Sequence, residues 1–112
     1  MEIPLINSSY EAYKEIVSAN NHLDKRWRYS LGHSLEESIL NLMESLVMAK
    51  HAPKALKPGY LLKAMGFLES SRLKLRLFLE MKIVNETNIF KIQAKLEEVG
   101  RMLGGWLRSL DK

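Results

Sequence analysis

Apolar residues recur at alternating three- and four-residue intervals along most of the chain, the signature of amphipathic helices. The clearest run is Ile89, Ile92, Leu96, Val99, Leu103, Trp106 and Leu110, which alternates without a miss and predicts a helix reaching almost to the C-terminus. A second run, Leu31, Leu35, Ile39, Leu42, Leu46 and Ala49, predicts another helix, with Leu40, Met43 and Val47 widening its apolar side. Between them, over about residues 58–83, Leu61, Met65, Leu68, Leu75 and Leu79 form a third stripe, which Arg72 interrupts. Ahead of all three, Tyr10, Tyr13, Ile16 and Val17 mark a first helix. Ser8 or Ser9 caps it, with Glu11 three residues after Ser8 in the capping-box position. Strand-like alternation appears nowhere at useful length.

The joints are polar or broken by proline. Asn20-Asn21 weakens the first helix toward Asp24, and Lys25-Arg26-Trp27-Arg28-Tyr29 reads as a basic, aromatic joint into the second. Pro53 and Pro58 interrupt the stretch from Ala52 to Pro58, and Pro58 suits the first turn of the third helix. Val84-Asn85-Glu86-Thr87 forms a short turn in which Asn85 or Thr87 caps the fourth helix. The last three helices run about 22–26 residues, or ~33–39 Å at 1.5 Å per residue. Long helices of similar length with short connections pack antiparallel. The expected fold is therefore all-α, one up-down-up-down four-helix bundle spanning residues 1–112.

Composition narrows the function classes. With no cysteine there is no disulfide framework, thiolate chemistry or Cys-based zinc site. The N-terminal stretch Met1–Asn7 lacks a basic region followed by a long apolar one, so no secretory signal is expected and the location is expected to be cytoplasmic. No run approaches the ~18–20 apolar residues needed to cross a bilayer, so no membrane partner is expected. The six methionines read as core filler. The net charge of +4 is unevenly spread: from Lys50 to Lys82 eight Lys/Arg stand against only Glu69 and Glu80. A basic segment on a nearly neutral body favours a polyanionic or acidic partner, unless it is an ordinary solvated face.

Helical bundles commonly do chemistry through metal-binding carboxylates and the Glu-x-x-His spacing. Here Ala19, Ser30 and Met48 stand three residues before His22, His33 and His51, so that motif is absent. Gly100, Gly104 and Gly105 lie in helical register after no strand, and match neither a phosphate-binding loop nor a dinucleotide fingerprint. No catalytic constellation, metal site or cofactor is expected, and the chain reads as a non-enzymatic protein. The polar residues that stand out are Glu69, Arg72, Arg76 and Glu80, spaced three, four and four along one helix face. Ion pairing within the helix accounts for such a ribbon. Arg72, however, falls inside an apolar stripe, and a desolvated arginine calls for a carboxylate from a neighbouring helix or another subunit. Glu37 and Glu44 are the candidates. At the joint, Trp27 either stacks on bases or plugs the end of the bundle.

Three segments resemble one family. They are Glu97-Glu98-Val99-Gly100-Arg101-Met102-Leu103-Gly104-Gly105-Trp106-Leu107, Arg28-Tyr29-Ser30-Leu31-Gly32 and Arg72-Leu73-Lys74-Leu75-Arg76. Together they resemble the accessory variability determinants (Avd) of diversity-generating retroelements, small four-helix bundles related to proteins encoded in ribosomal-RNA intervening sequences. The resemblance implies a barrel-like homopentamer with a basic surface. It also implies partnership with the element's reverse transcriptase, on template RNA and its cDNA, during mutagenic retrohoming. Arg72 and Arg76 match the family's paired arginines, and Arg101 lies beside a matched glycine. Arg26, Lys63, Lys74 and Arg108 join the expected binding set by charge alone, as phosphate contacts need only charge and reach. The alternative is a helical protein–protein adaptor of the intervening-sequence type, which touches no nucleic acid.

Overall fold

The computed structural model describes residues 2–111 and, among them, is helical almost throughout, with no strand. Four long helices, α1 (Glu2–Asn20), α3 (His33–His51), α4 (Lys57–Glu80) and α5 (Glu86–Ser109), are joined by short connections. A single turn, α2 (Lys25–Trp27), and a π-helical segment (Arg28–Gly32) lead without interruption into α3. A 3₁₀ turn (Lys54–Leu56) precedes α4. Each long helix packs against two others, α1 on α3 and α5, α4 on α3 and α5, so the four close a ring around one core. The molecule is a rod of 46 × 21 × 20 Å.

The first helix starts six residues before the expected serine cap. Pro4 falls in its first turn, where a missing N–H costs nothing because those donors lack helical partners anyway. Ser9 is thus buried mid-helix, its hydroxyl donating back to the Leu5 carbonyl at 3.0 Å. Leu5, Ala12 and Ile16 form the core stripe of α1, while Tyr10 is exposed. The Lys25–Tyr29 joint is helical rather than a loop. The wider π segment sets Arg28 where its Nη2 donates to the carbonyls of Asn21 at 2.8 Å and Leu23 at 3.2 Å, locking the turn out of α1.

Further contacts tie the ends of consecutive helices together. Buried Asn20, the last residue of α1, donates to the Gly32 carbonyl at 2.8 Å and to Glu36 at 2.7 Å. Lys57 opens α4 by donating to the Ala49 and Lys50 carbonyls in the last turn of α3, where helical partners run out. Further along α4, Lys74 reaches back to Ser34 and Ser38 near the start of α3. The last helix begins where expected, the Asn85 side chain accepting from the Thr87 N–H at 2.8 Å.

The core agrees with the apolar stripes in α5, where Ile89, Ile92, Leu96, Val99, Leu103 and Trp106 are all buried. Elsewhere it differs. In α4 the buried set is Leu61, Ala64, Leu68, Ser71, Leu75 and Phe78, with Met65 and Leu79 only half-buried. In α3 only one of the residues expected to widen the stripe does so: Met43 is half-buried and packs on the core, whereas Leu40 and Val47 face solvent. Met48 and Met81 are exposed rather than core filler, and Met1 lies outside the described residues.

Candidate nucleic-acid interface

The most specific stretches of sequence meet where α4 faces α5. Gly100 sits opposite the Arg72 guanidinium: a Cβ there would lie 2.7 Å from Nη2 of Arg72 and 3.4 Å from Leu68. The absent side chain leaves a notch, and Arg72 fills it. From the notch the guanidinium pairs with Glu69 on its own helix and with Glu97 of α5 at 3.2 Å. Its Nε is buried without a hydrogen-bond partner. The expected partners Glu37 and Glu44 are therefore replaced by Glu97. Arg72 lies on the α5 side of α4, whereas Glu37 belongs to α3, beside His33 at 3.3 Å.

Around the notch runs a groove of about 420 Å³ lined by Glu69, Arg72, Leu73, Arg76, Gln93 and Glu97. Arg76 is well exposed and only loosely held, 3.8 Å from Glu80. Arg101 and Arg108 are exposed on α5, four and eleven residues after Glu97, and so share its side of the helix. Arg108 folds back toward Gly104, where a Cβ would lie 3.3 Å from its Nη1. Thus Arg72 and Arg76 share the groove, with Arg72 already neutralised, while Arg101 and Arg108 continue the same side of α5 beyond it toward the C-terminus.

The other three expected site residues stand elsewhere. Lys74 turns to α3, where its ammonium donates to the Ser34 carbonyl at 3.2 Å and to the Ser38 hydroxyl. Burial pushes its pKa below the usual lysine value, partly opposed by the Glu37 charge. A lysine so engaged is a helix-to-helix tie, not a free phosphate contact. Lys63 lies over the Tyr60 ring at 5.8 Å, in the α3–α4 groove beside Glu44 and Met48. Arg26 lies over Trp27 at 4.8 Å at the turn end of the rod. Trp27 itself is half-buried and packed on the core, so it plugs that end.

Sequence alone did not single out Glu15. One of its carboxylate oxygens is buried without a partner, beside a cleft of about 330 Å³ between α1 and α5 that His22, Asn88 and Lys91 also line. All three histidines are exposed, and no group of three or more His, Cys, Asp or Glu among the described residues is placed to hold a metal ion. No helix among them is long and apolar enough to cross a membrane. No protein-family model matches the chain, and no curated protein matches it.

Proposed function

We propose that the protein is a non-enzymatic accessory of a diversity-generating retroelement. It binds the element's reverse transcriptase and holds template RNA and cDNA through phosphate contacts during mutagenic retrohoming, in the cytoplasm, as a barrel-like homopentamer. Its protomer is an up-down-up-down bundle, a course supported by the contacts of Asn20 with Gly32, Lys57 with Ala49, and Arg72 with Glu97. The observation that carries the proposal is the Arg72–Gly100 notch. Two segments that resemble the accessory family separately in sequence, the paired arginines and the glycine-tryptophan run, fit each other there as one unit. In that unit Arg72 is the positioning residue, and exposed Arg76, Arg101 and Arg108 are the phosphate contacts.

A second function, the protein–protein adaptor, draws on a different observation. An arginine that matches the family's pair is already spent on Glu69 and Glu97, and exposed Leu73 lines the same groove. Charge reversal separates the two. The double variant Arg76→Glu/Arg101→Glu is expected to weaken RNA binding at least tenfold in a fluorescence titration while the circular dichroism spectrum stays unchanged. Undiminished RNA binding together with lost reverse-transcriptase binding would move the assignment to the adaptor.

A further inference from the structure

Cations and rings alternate along the joint Arg26-Trp27-Arg28-Tyr29, and the two rings have different surroundings. Trp27 packs on the core, with Arg26 over its ring at 4.8 Å. Tyr29 is 69% exposed, more than any other large apolar or aromatic side chain among the described residues. The Arg28 guanidinium lies over its ring at 6.0 Å and is itself fixed by the carbonyls of Asn21 and Leu23. The phenol ring is thus backed by an anchored cation and is otherwise open to solvent. A single exposed ring needs no explanation, but one propped on a locked guanidinium amid unpaired charge does.

The charge around Tyr29 is uncompensated. Among the described residues, Lys25, Arg26 and Arg28 take part in no ion pair. A carbonyl holds a guanidinium without cancelling its charge, so Arg28 stays positive, unlike Arg72, whose partners are carboxylates. From Asn21 to Leu35, these three cations stand against the single carboxylate of Asp24, an excess of two positive charges. The neighbouring elements do not cancel it. Glu36 accepts from Asn20, and Glu37 lies 3.3 Å from His33. The turn between α4 and α5, which meets Leu23 at this end of the rod, brings Lys82 and Glu86, one charge of each sign.

We propose that Tyr29 is a stacking platform for an unpaired nucleobase, with exposed Lys25 and Arg26 holding the adjacent phosphates. This rests on the nucleic-acid reading above and adds to it a preference for single strands. The bases of a duplex are already stacked on one another and offer the ring no face, whereas a splayed base does. Stacking tolerates any base, because each has a π-face, so the contact selects strand state without selecting sequence.

The test uses the full chain and two single-stranded RNAs of equal length, one with all its bases and one with abasic sites through its centre. Fluorescence anisotropy titrations compare wild type, Tyr29→Phe and Tyr29→Leu. The position is exposed, so the circular dichroism spectra are expected to coincide. Wild type is expected to bind the base-bearing strand at least about fivefold more tightly than the abasic one, the worth of one stacked base. Tyr29→Phe keeps the ring and is expected to keep that difference. Tyr29→Leu is expected to lose it, binding both strands alike with an unchanged salt slope, because the phosphate contacts remain. Equal wild-type affinity for the two strands, or a Tyr29→Leu variant that still prefers the bases, would overturn the stacking assignment alone. A wild-type protein that binds neither strand would remove the nucleic-acid reading as well.

Discussion

Two glycines with opposite surroundings show how much single positions matter in this bundle. Gly32 is buried in the π segment, where a Cβ would lie 3.0 Å from the Asn20 side chain and from the Trp27 carbonyl. The carbonyl is backbone, and the Asn20 side chain is held in place by the two hydrogen bonds its Nδ2 donates, so neither can yield cheaply. Gly66, mid-helix in α4, has nothing within 4 Å of the same point. Gly32→Ala is expected to destabilise the fold by about 1–3 kcal/mol through overpacking, and Gly66→Ala to stabilise it by roughly 0.5–1 kcal/mol through helix propensity. Urea titration of the two variants beside wild type checks both signs at once. Gly66→Ala leaving stability unchanged or lowering it would mean that the exposed side of α4 is already covered. A glycine in helical register at position 100 leaves room for something to pack there. That the something is a guanidinium, and that it reaches Glu97 rather than Glu37 or Glu44, depends on which neighbour lies on which side of α4. The repeat of one helix does not carry that information.

Element boundaries follow local chemistry, some of it visible in the residues. Asn85 caps α5 as its type and position predict. The end of α4 is less conventional. Lys82 adopts φ 52°, and the Ile83 N–H bonds the Phe78 carbonyl at 3.1 Å across it, the closure in which glycine is usual. A left-handed lysine costs roughly 1–2 kcal/mol, so Lys82→Gly is expected to raise stability by up to about 1 kcal/mol, after the extra chain entropy glycine loses on folding. Chemical denaturation at neutral pH reads this directly. The tie between α4 and α3 has a pH signature. Folding lowers the pKa of Lys74 below 10.5 by burial. The cost of holding its charge is therefore fully present below the lowered value and fades as pH rises toward 10.5, since the unfolded chain binds the extra proton in that window. The stability of wild type relative to Lys74→Met is expected to climb over that alkaline range. A difference that stayed flat would show that the ammonium is as well solvated in the fold as out of it. The α5 stripe was legible because that helix buries one clean side. The stripe of α3 was over-widened because periodicity finds apolar positions without distinguishing a core from a second, outward face.

At the scale of the molecule, the fold is a ring of four long helices closed around one core. The all-helical class and the positions of most core residues could be read from spacing alone. The surroundings of the cations could not: Lys74, Lys63 and Arg26 entered by charge alone, and only packing separates the lysine tied to α3 from the cations stacked on Tyr60 and Trp27. The central claim is that the α4–α5 arginines hold a polyanion. It is tested most directly by measuring the affinity of the wild-type protein for a single-stranded RNA over a series of salt concentrations. Phosphate contacts release counterions, so log affinity is expected to fall linearly with log salt at a slope of about −0.7 per phosphate neutralised. Reversing Arg101 and Arg108 together is expected to flatten the line by roughly one to two units. An affinity that stays level from low to high salt, or a slope that the two reversals leave unchanged, would contradict it.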